Sequence, residues 1–118
     1  GTDRIVPIHP EIKPLITKRY NSENEFLFND YNKLAHNVTP LTYDKYRNRF
    51  KKVMTYLDMS HTPHETRHTF ITYAKESNIN DYLLKKIIGH EIRDVTEKIY
   101  THRTTEELIN EANKIIFI

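Results

Sequence analysis

The chain is 118 residues long, 37% hydrophobic and free of cysteine, with 18 Lys and Arg against 16 Asp and Glu for a formal net charge of +2. That length suits a single domain over residues 1–118 with one core. The lack of cysteine excludes disulfides and thiolate-held metals and fits a reducing, cytoplasmic interior, and no apolar run is long enough for a membrane span or a secretory signal.

In chain order, Asp3-Arg4-Ile5-Val6-Pro7-Ile8 is short and β-branched and predicts a strand that Pro7 confines to an edge or end. Pro10 through Tyr20 predicts a helix with Ile12, Leu15 and Ile16 inward and Pro14 in its first turn. Glu25-Phe26-Leu27-Phe28 reads as a brief strand or buried loop, and Asn29 to Pro40 as a polar connecting loop. From Thr42 to Leu57 the helical spacing of Tyr46, Phe50, Val53, Met54 and Leu57 predicts an amphipathic helix facing a core. Its other faces carry Lys45, Arg47, Arg49, Lys51 and Lys52. Such a run suits DNA phosphates, although a solvated face is its commoner meaning.

Pro63 opens a further helix that begins near His64 and runs to about Ser77. Asp81 to Ile88 predicts a helix burying Leu83, Leu84, Ile87 and Ile88, with Gly89 suited to a left-handed cap. Asp94-Val95-Thr96-Glu97 has the form of a capping box opening a short helix that holds Tyr100. Thr104-Thr105-Glu106-Glu107 repeats the signal, opening a last helix with Leu108, Ala112, Ile115 and Ile116 along one side. The fold class expected is mainly α with a short N-terminal β element.

Two incompatible chemistries meet in His64-Glu65-Thr66-Arg67-His68. As H-E-x-x-H it puts two imidazoles on one helix face for zinc, with a Glu as general base. Arg67 stands between that Glu and the second His, where a fixed positive charge repels the metal, and Pro63 makes His64 a first-turn residue rather than an interior one. The zinc metalloprotease reading is therefore the weaker, and no metal or other cofactor is expected. As H-x-x-R, His64 and Arg67 share a face with Ile71 and Ala74, and a partly desolvated guanidinium there needs a carboxylate or phosphate partner.

The longer pattern resembles the C-terminal catalytic half of tyrosine recombinases, the phage integrase family. It comprises His64 and Arg67, then Gly89-His90 after Ile87-Ile88, then Tyr100 in Ile99-Tyr100-Thr101-His102. The interval from His90 to Tyr100 is slightly longer than the family's commonest form. The resemblance implies site-specific DNA recombination or integration, as in mobile elements, with His64, Arg67, His90 and Tyr100 around the scissile phosphate. A phenol with pKa near ~10 is a weak nucleophile, so Tyr100 needs a base and a stabilised phosphorane charge. Arg67 supplies a two-pronged donor to nonbridging oxygens, His64 assists the phenol proton, and His90 donates to a remaining oxygen. The resemblance further implies that attack leaves a free 5′-hydroxyl and a 3′-phosphotyrosyl link, which keeps the ester energy so that rejoining needs neither ATP nor metal.

The family also uses an upstream Arg and a hairpin Lys as leaving-group acid. Arg4, Lys13 and Lys18 do not match those positions. The expectation is thus the C-terminal part of an integrase catalytic domain, truncated on its N-terminal side and inactive alone. Its partner is double-stranded DNA, with self-association through the C-terminal helix and no membrane. The alternative from another class is a DNA-binding module without chemistry.

Overall fold

A computed structural model describes residues 4–90 and 105–117. Its elements are α1 (Lys13–Arg19), β1 (Asn29–Asn32), β2 (Asn37–Pro40), α2 (Tyr43–Tyr56), α3 (Pro63–Glu76), α4 (Asp81–Ile88) and α5 (Thr105–Asn113). The described chain is mainly helical with a small two-stranded antiparallel sheet.

That sheet does not lie at the N-terminus. Residues 4–8 form no strand. Side-chain bonds tie the segment down instead: Arg4 Nε donates to the Ile87 carbonyl at 3.0 Å, and His9 Nε2–H donates to the Ile115 carbonyl at 2.8 Å. The strands fall within the stretch expected as a polar loop, pairing Asn29 with Pro40 and Asn32 with Asn37. Its Asn residues build the reversal, since Asn32 Oδ1 accepts from the backbone N–H of both Leu34 and Ala35, and His36 takes a left-handed φ of 53°. The helix expected over Pro10–Tyr20 is shorter, and Ile12 and Leu15, expected inward, are exposed.

The chain forms two compact units, Leu15–Arg67 and Gly1–Pro14 with His68–Ile118. In the first, Thr42 caps α2 by accepting from the Lys45 N–H. The apolar stripe of α2 is not a core face: none of its residues is buried, and Tyr46 and Val53 stay 43% and 51% exposed.

The second unit holds the described core. Ala74, Ile79, Leu84, Ile88 and Ile115 form one cluster, and Tyr82, Leu83, Ile87 and Leu108 a second, with Phe70 against both. Burying a side chain of the Leu83 type contributes about 1.5–3 kcal/mol, so α4, buried over most of its length, anchors this unit. Glu111 on α5 accepts from the Asn80 N–H at the start of α4, 2.8 Å away, which ties the two helices end to side. The helical run breaks at Asn113 and ends the predicted stripe: Ile115 is buried, whereas Ile116, expected inward, is 64% exposed. Among the described residues no helix is long and apolar enough to cross a membrane.

Candidate active site

The H-x-x-R pair sits at the start of α3, and local chemistry builds that start. Pro63 occupies the first helical position, where its missing N–H costs nothing. The Glu65 carboxylate folds back to accept from the Thr62 backbone N–H, and its other oxygen meets His61 Nδ1 at 3.5 Å. The Thr62 amide, then His61, hold the Glu65 carboxyl below the usual carboxylate range. Glu65, the general base of the zinc reading, is thus committed to the helix start and to His61. Among the described residues no group of three His, Asp or Glu is arranged to hold a metal.

With the first turn locked, His64 and Arg67 lie one turn apart on one face of α3. His64 is exposed and Arg67 half-buried; farther along this face Ile71 is half-buried and Ala74 has no exposure.

His90 follows the helix that anchors the other unit. Asn80 caps α4 by accepting from the Leu83 N–H, and Gly89 ends it in the left-handed region at φ 78°. The His90 N–H reaches back to the Lys85 carbonyl at 3.0 Å, leaving the residue exposed just beyond the helix end. Tyr100 and the short helix expected around it lie outside the described residues, as does the capping box at Asp94.

The predicted DNA-contacting residues divide. Lys45 Nζ and Arg49 Nη2 meet Asp30 Oδ2 at 3.1 and 3.0 Å. The Lys45 hydrogen bond leads the causes that hold the Asp30 carboxyl below its ordinary range, with the Lys45 and Arg49 charges adding to it and desolvation opposing it. Arg47 pairs with Asp44 at 3.7 Å and stands 5.9 Å from the Tyr43 ring centre, while Lys51 and Lys52 lie exposed farther along α2. Asp30 was not legible as a partner of these cations, because it falls in the stretch read as a connecting loop.

Residues 1–107 match the phage integrase family. The chain belongs to this family. It is similar to the tyrosine recombinase XerA of Saccharolobus solfataricus, 31% identical over 97% of this chain and 36% of the relative. It is also similar to XerA of Pyrococcus horikoshii, 30% identical over 92% of the chain and 38% of the relative. A tyrosine recombinase of Thermosipho africanus is 26% identical over 96% of the chain and 39% of the relative. This phage integrase chain therefore spans little more than a third of the length of the relatives it matches. No solved structure gives a significant match.

Proposed function

We propose that the protein cleaves and rejoins DNA strands at specific sites through a 3′-phosphotyrosyl intermediate. The observation that carries this is the H-x-x-R pair on a capped first turn of α3, in a chain of the phage integrase family. Tyr100 is the nucleophile: its phenolic oxygen bonds to phosphorus as the 5′-oxygen leaves. His64 takes up the phenol proton, and Arg67 and His90 donate to the nonbridging oxygens, where added charge gathers in the transition state. The departing 5′-oxygen takes a proton from a general acid, which the resemblance makes a Lys. DNA is gripped through Lys45, Arg47, Arg49, Lys51 and Lys52 as phosphate contacts. Self-association on DNA runs through the C-terminal helix, α5, on which Ile109 is exposed.

The test is covalent trapping on a nicked duplex by the full-length protein. An adduct should form, vanish with Y100F, and fall by about 10²–10³ with R67K, because an ammonium lacks the bidentate fork. The 118-residue chain alone is expected to form none, lacking matches to the upstream Arg and Lys. An adduct that survives Y100F through another tyrosine would sink the assignment, and DNA binding with no adduct would favour the module without chemistry.

A further inference from the structure

We infer that Arg4 is a positioning residue for His90, clamping the Gly89-His90 turn from outside. This rests on the reading of His90 as a phosphate donor. Gly89 and His90 both turn their N–H groups back to the Lys85 carbonyl, which satisfies one acceptor at the end of α4. The Ile87 carbonyl remains at the negative end of the helix, and Arg4 Nε donates to it at 3.0 Å from 83 positions away.

The same guanidinium lies against the glycine. A Cβ built on Gly89 would come within 2.9 Å of Arg4 Nη1, 3.1 Å of Cζ and 3.3 Å of Nε. The bare glycine is therefore needed twice, for its φ of 78° and for the approach of Arg4. His90 is the next residue, and its side chain is exposed. A donor that must meet a phosphate oxygen works only if held to about 0.5 Å. The Lys85 carbonyl fixes the backbone of this turn from the helix side, and Arg4 fixes it from the other. Arg4 thus acts through His90 rather than on the phosphate.

The test is single-turnover cleavage of a nicked duplex by the full-length protein at saturating DNA, comparing R4M, R4K, H90A and the R4M/H90A double variant. R4M should slow adduct formation about tenfold, the scale of one lost charge-assisted hydrogen bond, with DNA affinity unchanged. R4K should recover part of the rate, since an ammonium can donate to the Ile87 carbonyl but has no plane to pack on Gly89. In the H90A background R4M should have no further effect. Hydrogen exchange supplies the arm independent of catalysis: the Gly89 and His90 amides should exchange faster in R4M, with those of α2 unchanged. Equal slowing by R4M with and without His90, or unchanged exchange at 89–90, would overturn the inference. If the wild type forms no Tyr100-dependent adduct, or H90A leaves the rate unaltered, the catalytic reading falls and exchange alone decides the role of Arg4.

Discussion

Replacing Gly89 by alanine puts a methyl group into a space that Arg4 already fills, at a backbone position L-residues avoid. Two costs arise. Holding alanine at φ 78° costs about 1–2 kcal/mol, from the crowding of Cβ against the following carbonyl. The methyl would also lie 2.9 Å from Arg4 Nη1. Because that atom is the far end of a flexible side chain, the guanidinium gives way rather than the backbone. The second cost is then bounded by the bond from Arg4 to the Ile87 carbonyl, about 1 kcal/mol for a solvent-accessible donor. Together they give a loss of about 2–3 kcal/mol in urea unfolding, read as a lower midpoint at unchanged slope. In the R4M background only the backbone cost remains, so G89A should be milder by about 1 kcal/mol there. G89N separates the two contributions: asparagine tolerates the left-handed region better yet carries the same Cβ. If G89A costs the same with and without Arg4, the guanidinium does not rest on this turn. A loss under about 0.5 kcal/mol in both backgrounds would refute the left-handed cap itself.

Neutralising Arg47 and Arg49 should weaken DNA binding similarly on all sequences and lower the salt slope by about 1 for each phosphate left without its cation, whereas weakening confined to one sequence would mean base reading. D30N frees Lys45 and Arg49 from their carboxylate and should tighten DNA binding about threefold at low salt; weaker binding would show that Asp30 instead orients these cations. Asp30 and Glu65 both have depressed carboxyl pKa values, so the stability they contribute is fully present above the unfolded carboxylate pKa of about 4 and is lost as pH falls through the lower folded values. Urea midpoints should drop on that acid limb, and D30N with E65Q should flatten it; an unchanged limb would mean that other carboxylates control it. Ile115→Ala should cost about 2–4 kcal/mol because the side chain is buried, and Ile116→Ala less than about 0.5 kcal/mol. Equal thermal shifts from the two would contradict the docking of the C-terminal segment.

Features written in neighbouring residues were legible from the sequence. The helix Asp81–Ile88 with its buried Leu83, Leu84, Ile87 and Ile88 and its left-handed Gly89 followed from spacing and cap chemistry, both local. So did the start of α3 at Pro63 and the common face of His64 and Arg67. What covers a helix face was not legible. The stripe of α2 has the periodicity of a core face and yet none of its residues is buried, and Ile116 points outward because the helix stops at Asn113. A strand depends on its partner in the same way. Residues 4–8 have strand-forming side chains and no ladder, while the polar stretch from Asn29 to Pro40 pairs with itself once Asn32 turns the chain. The pairing of Asp30 with Lys45 and Arg49, and the clamp of Arg4 on Gly89, join residues between 15 and 85 positions apart. Periodicity tells which side chains share a surface, but the partner that meets that surface comes from distant chain, and only the tertiary fold brings it there.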